Sequence, residues 1–227
     1  MNLVYIVNAR IPTEKAHGIQ IFKTCEQLAK LSHLELWIPK RKNFIKEDPF
    51  IFYDVERNFL IKRFWCFNFI FLAKRFDRLA FYLQSLSFLL VLLFKKLSKK
   101  TIIYTRSPEI AFIFSLKGYQ VYFEAHEWSG RSRLFKFFLR RSKGIVCNSE
   151  GTKKSFLENN FKKILVAPNG VDLDIFNLEI DKKEARKKLN LAVDKNLLVY
   201  TGRFMTDGME KGIELVLESL KFTDEKT

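Results

Sequence analysis

The sequence predicts an α/β protein: a doubly wound, Rossmann-like parallel sheet followed by an incomplete second Rossmann-like domain. Three observations carry this reading. Short apolar runs of strand length alternate with helical segments along the chain. The first run, Leu3–Val7, leads into a loop ending at Gly18 and then a helical segment, the opening of a Rossmann-like unit. A second such opening comes late, where the run Leu197–Thr201 meets Gly202 and a polar loop leads to a helix over 212–220.

The elements follow in order. After Leu3–Val7, the polar Asn8 and Pro12 end the strand. Ile21, Phe22, Cys25, Leu28 and Ala29 then give a helix one apolar face. Leu34–Ile38 is a second strand stopped by Pro39, and a basic loop runs on to Asp54. Phe59–Ile61 reads as a third strand. The stretch from Phe64 to Leu97 is apolar, aromatic and basic, with an uncharged core from Leu79 to Phe94. That core is shorter than the roughly 20 apolar residues that span a bilayer. It also holds Gln84, Ser85 and Ser87, so a buried or interfacial helix is expected. Its basic flanks, Lys74, Arg75 and Arg78 before and Lys95, Lys96, Lys99 and Lys100 after, suit an anionic membrane surface. Strands are expected at 101–105, 120–124, Gly144–Cys147 and Lys163–Ala167. Ser107 with Pro108, and Ser149, mark the N-termini of helices, and residues 131–141 read as a basic helix. Asn169–Phe176 reads as a linker and Asp181–Leu189 as a helix. Domain boundaries are expected at 1–168, with a crossover over 169–195 and a second domain beginning over 196–227. One strand and one helix cannot bury their apolar faces alone, which is why that second domain reads as incomplete.

Composition narrows the partners. The chain has 227 residues and a formal net charge of +15, which points to phosphorylated ligands, an anionic membrane or nucleic acid. The basic residues are spread over many elements and no nucleic-acid-binding motif appears, so no nucleic-acid partner is expected. Cys25, Cys66 and Cys147 are widely spaced and form no CxxC or Cys/His cluster. This argues against a disulfide scaffold or zinc site and suits a reducing cytoplasm. The N-terminal residues have no basic start and read as a first strand. A GxGxxG fingerprint is absent, so no NAD site is suggested.

Two segments carry the chemistry. The first is Pro168-Asn169-Gly170-Val171-Asp172, and the second is Gly202-Arg203 with Lys211-Gly212. A strand ending in glycine, a basic loop and a helix N-terminus make an anion site. Arg203 and Lys211 would add full positive charges there. Together these segments resemble glycosyltransferase family 4, a family of two-domain GT-B fold. Many members place the Arg and Lys closer together; here residues 204–210 separate them.

The resemblance implies a retaining transferase using a nucleotide-sugar donor, UDP- or GDP-linked, with no metal or other cofactor. Gly18, Gly202, Arg203 and Lys211 would bind the donor phosphate, and Arg203 and Lys211 would stabilise the leaving diphosphate. His126, just after the fifth strand, would face the donor sugar; its usual neighbour is Asp, and here it is Glu127. Lys15, His17, Arg106 and Glu109 would contact a glycan or lipid-linked acceptor. Cell-envelope glycan assembly, a cytoplasmic location and peripheral association with the inner face of the membrane follow as family-level expectations. The glutamates that hold the donor ribose and sugar would lie beyond residue 227. The chain is therefore expected to be part of a longer product or a short form, the latter being an acceptor- or membrane-docking module that needs a partner chain.

Overall fold

The computed structural model describes residues 1–67, 70–128, 133–202, 204–206 and 209–222. The chain divides into two compact units, Met1–Gly170 and Val171–Thr227. The first unit runs β1 (Asn2–Ile6), α1 (Ala16–Ala29), β2 (His33–Lys40), α2 (Pro49–Phe52), β3 (Leu60–Trp65) and α3 (Ile70–Leu93). It continues with β4 (Ile102–Thr105), α4 (Pro108–Leu116), β5 (Gln120–Ala125), α5 (Arg133–Leu139), β6 (Gly144–Cys147), α6 (Glu150–Glu158) and β7 (Ile164–Val166). Among the described residues these strands form one seven-stranded sheet in the order β3-β2-β1-β4-β5-β6-β7. Every neighbouring pair is parallel.

Alternation along the strands splits the core in two. Val4, Ile6 and Ile103 face a layer built from Phe88 and Leu92 of α3, Phe114 of α4, Leu139 of α5 and Phe156 of α6. Leu3, Tyr5 and Leu36 face the other way, onto Ile21, Phe22 and Cys25 of α1. Near-continuous apolar runs in β1 and β2 follow from this two-sided burial. All three cysteines are free and buried.

The local signals explain where boundaries differ from expectation. β3 runs to Trp65, well past Ile61, because it pairs with Glu35–Lys40 of β2. It is an edge strand whose Lys62 and Arg63 are exposed, so it lacks the apolar signature of a central strand. The loop expected up to Asp54 contains α2, because the Asp48 side chain accepts the Phe50 N–H at 2.9 Å and Pro49 fills the first turn. Ser149 caps α6 by accepting the Thr152 N–H at 3.1 Å. Ser107 precedes α4 as expected, but its side chain makes no capping bond. Instead its N–H donates to the Thr105 hydroxyl at 3.1 Å, and that hydroxyl donates to the Ile6 carbonyl at 2.7 Å.

The second unit holds α7 (Leu173–Phe176), α8 (Lys182–Lys188), a hairpin of β8 (Met205–Thr206) and β9 (Met209–Glu210), and α9 (Ile213–Ser219). α7 falls within the expected linker because Asp172 caps it. The expected strand Leu197–Thr201 does not form. A strand is completed by its neighbours, and no strand among the described residues pairs with this run. Leu198 and Val199 are left exposed.

Core and surface should respond differently to truncation. Phe88, fully buried against the sheet, should cost about 3–5 kcal/mol as Phe88→Ala, while Phe222→Ala should cost under ~0.5 kcal/mol because that ring is 90% exposed. Urea unfolding of both variants checks this.

Candidate functional site

In an open parallel sheet, ligands bind beyond the carboxyl ends of the strands. At that edge the structure builds a polar cluster around one buried carboxylate, Glu124 of β5. The sheet register sets Tyr5 of β1 beside Tyr104 of β4, and Tyr104 beside Tyr122 of β5. Two residues on, the same face of the sheet carries Arg106 and Glu124. Tyr5 and Tyr104 pack edge to face at 4.8 Å, and the Tyr5 hydroxyl donates to Glu124 Oε2. Glu124 Oε1 lies 2.5 Å from His126 Nε2 and 3.6 Å from Arg106 Nε. Arg106 Nη2 also donates to the Gln20 side chain of α1 at 3.3 Å.

The electrostatics follow from burial and these partners. Burial pushes the Glu124 carboxyl up. The His126 hydrogen bond, the Arg106 charge and the Tyr5 hydroxyl outweigh it and hold the group below the usual carboxylate range. Tyr5 and Tyr104 are pushed up, first by burial and then by the Glu124 charge. An ionised Glu124 can only accept, so His126 donates through Nε2 and keeps Nδ1 for other partners. His17, in the first turn of α1, is pushed down by burial and then by the charges of Arg106 and Lys15.

The residues named from sequence fall as follows. His126 and Arg106 join the cluster, and His17 lies close enough to feel the Arg106 charge. Lys15, exposed, holds the N-cap position of α1 without a side-chain capping bond. Glu109, also exposed, sits in the first turn of α4. Gly18 lies inside α1 and not in the preceding loop. A Cβ there would meet the Tyr53 hydroxyl at 2.2 Å. That hydroxyl accepts the Thr13 N–H at 2.6 Å and donates to the Thr13 carbonyl at 2.9 Å, so close packing alone calls for glycine.

In the second unit, Gly202 is exposed with φ +155°, and Arg203 lies outside the described residues. The residues between Arg203 and Lys211 include the β8–β9 hairpin, and the Lys211 N–H donates to the Phe204 carbonyl at 3.0 Å. The hairpin thus returns Lys211 to the residue that follows Arg203. Glu124 was not singled out in the sequence. Its signal was a carboxylate two residues before His126 on a strand, a spacing that puts both on one face. Among the described residues no three His, Cys, Asp or Glu side chains group as metal ligands. A separate hollow of about 800 Å³, lined by Arg133, Lys136, Arg140, Lys162 and Lys163, opens at the N-terminal ends of β6 and β7, away from the ligand edge.

The sheet, its flanking helices and the cluster at its carboxyl edge define a Rossmann-like domain of the GT-B kind. The chain belongs to glycosyltransferase family 4, whose sequence profile matches residues 18–175. Among solved structures, the fold is shared by Anabaena Alr3699/HepE, crystallised with UDP and glucose. That match has a TM-score of 0.59 at 10% identity and covers 100% of this chain and 59% of the other. A crystal structure of the same protein with UDP-glucose gives 0.57 at 9% identity, covering 99% and 58%. The chain therefore spans less than two thirds of the length of that protein. No curated protein sequence matches the chain significantly.

Glu124 sets a pH signature. Its carboxyl titrates below the ordinary range in the folded chain, so it stabilises the fold above the unfolded value of about 4.3. That stabilisation is lost as pH falls through the folded value. Glu124→Gln should cost about 1–3 kcal/mol at pH 7, and the gap should narrow progressively as pH is lowered below about 4.3. Urea unfolding across that range measures it; a gap independent of pH would show that the charge is not what matters.

Proposed function

We propose that this chain supplies the first domain and the start of the second in a retaining transferase. The enzyme moves a sugar from a UDP- or GDP-linked donor to a glycan or lipid-linked acceptor, in cell-envelope glycan assembly on the cytoplasmic side. The observation that carries the reading is the His126–Glu124 pair at the carboxyl edge of a sheet in a family 4 chain. That Alr3699/HepE was crystallised with UDP and with UDP-glucose supports a UDP-linked donor.

In this reading the bond from the sugar C1 to the diphosphate oxygen breaks and a bond from C1 to the acceptor oxygen forms on the same face. The acceptor proton leaves with the diphosphate. Arg203 and Lys211 stabilise the charge growing on that diphosphate, and Gly202 lets the backbone come close to it. Gly18, near the start of α1, is assigned to donor-phosphate binding in this reading. His126, oriented by Glu124, positions the donor sugar. Lys15, His17, Arg106 and Glu109 border the acceptor, with Arg106 also tied to Glu124. The donor needs no metal in this scheme, since the two basic side chains supply the positive charge.

In the transferring enzyme, Arg203→Ala, Lys211→Ala and His126→Ala should each lower kcat by about 10²–10³-fold. Steady-state transfer from UDP- and GDP-sugars, with the product anomer read by NMR, tests all three. Near-normal turnover in Arg203→Ala would remove that residue from the mechanism, and an inverted anomer would remove retention.

A further inference from the structure

The hollow at the N-terminal ends of β6 and β7 is walled on two sides by cations. Arg133, Lys136 and Arg140 recur at spacings of four and three residues, so they lie on one side of α5 and its last turn. Phe135 and Leu139 hold that helix in the core. The Arg140 N–H donates to the Lys136 carbonyl at 3.1 Å and so continues the helical turn. The other wall is Lys162 and Lys163, in the turn between α6 and β7. The Asn160 N–H, donating to the Leu157 carbonyl at 3.0 Å, shapes this turn, and Asn160 adopts φ +66°, a left-handed conformation that Asn tolerates. The Ile145 N–H donates to the Lys163 carbonyl at 2.8 Å, which ties the second wall to the start of β6. The backbone therefore sets both walls.

No acid balances these charges. Among the described residues no Asp or Glu lines the hollow, and none occurs in the sequence from Trp128 to Ser149 or from Asn159 to Val171. Elsewhere the chain pairs its surface cations, as Lys62 with Glu35 at 2.8 Å and Lys153 with Glu150 at 3.1 Å. Among the described residues none of the five has a carboxylate partner. A hollow of this volume is roughly 9 Å across, within the Debye length of about 10 Å at 0.1 M salt, so these cations repel one another with little screening. The Ser142 hydroxyl lines the same hollow, and it is buried without a hydrogen-bond partner among the described residues. Buried hydroxyls are normally paired, and an oxygen of a bound ligand would pair this one. The two arginines offer planar forks that match phosphate oxygens, and the lysines add point charges. One phosphate carries about −1.5 to −2 charges, so five cations match two or three of them. Nucleic acid spreads its charge along a line, whereas these side chains converge on one hollow and fit a compact ligand.

We propose that this hollow binds a soluble anion carrying two or three linked phosphates. It lies at the opposite end of the sheet from the ligand edge, so its failure leaves the transferase reading untouched. Isothermal titration calorimetry of the whole chain with inorganic triphosphate tests it. Triphosphate should bind at least tenfold more tightly than inorganic monophosphate, and binding should weaken several-fold between 0.1 and 0.5 M salt. Arg140→Glu/Lys163→Glu should lose at least tenfold, and the milder Arg140→Gln/Lys163→Gln should lose at least threefold. Both positions are exposed, so the fold should survive. Lys183→Glu/Lys187→Glu, at exposed positions on α8, makes the same change in net charge and should bind as the native chain does. As a measure independent of all variants, titrating triphosphate into the labelled native chain should move the amide resonances of Ser142, Gly144 and Lys163. Absence of binding, equal affinity for monophosphate, unmoved resonances at those three residues, or unchanged binding by Arg140→Glu/Lys163→Glu would overturn the proposal. So would an equal loss in the α8 pair, which would assign the binding to net charge alone.

Discussion

A carboxylate placed inside a protein has to be matched where it stands, and Glu124 is matched from three strands. Its side chain is only 12% exposed. Tyr5 comes from β1, Arg106 from the end of β4, and His126 from the end of β5 itself. Tyr5 and Arg106 would lose Glu124 if their strands slipped against β5 by a residue, because a slip turns every side chain to the other face, whereas His126 moves with Glu124 on β5 itself. The register that buries Leu3, Tyr5 and Leu36 against α1 is thus the register that completes the cluster. Stability and site geometry are the same constraint here. Removing one partner would leave the others around a poorly compensated charge.

The rest of the ligand edge carries both signs of charge. His17 is pushed down by burial and by the charges of Arg106 and Lys15, which means that the neutral ring is favoured among cations. Among the described residues Glu124 is the carboxylate paired with Arg106. Glu124 is committed inward, while Lys15, Glu14 and Glu109 are open to solvent. Tight packing sets the approach to this edge. Gly18 is where α1 comes closest to the Tyr53 hydroxyl, and that hydroxyl in turn holds the Thr13 backbone. The start of α1 and the loop before it are therefore fixed to each other through α2's neighbour, Tyr53.

Much of this was legible in the sequence, and the failures have local causes. The central strands announced themselves through two-sided apolar burial, and Gly144–Cys147 was placed to the residue. β3 extends past the expected Phe59–Ile61 because an edge strand can carry Lys62 and Arg63, which interrupt the apolar run. α2 and α7 were missed because each is a single turn made by an aspartate cap, Asp48 or Asp172, and has no periodicity to detect. Leu197–Thr201 has every mark of a strand; what it lacks is a partner, which a local pattern cannot show. At the site, His126 and Arg106 were legible one at a time. Their common partner was not, because Glu124 looked like the polar end of a strand until the sheet register brought Tyr5 and Arg106 to it.

α3 shows the same limit from the other side. A helix that is apolar all round is expected to be buried. The structure buries one side and leaves the other open, and no periodicity in the sequence distinguishes the two, since Leu86 and Leu90 look no different from Phe88 and Leu92. What separates them is only which way the sheet lies. An open leucine face promotes self-association, and a net charge of +15 opposes it by repulsion between copies. The basic excess and the apolar face are therefore best understood together. The charge holds two such faces apart where their leucines alone would bring them together.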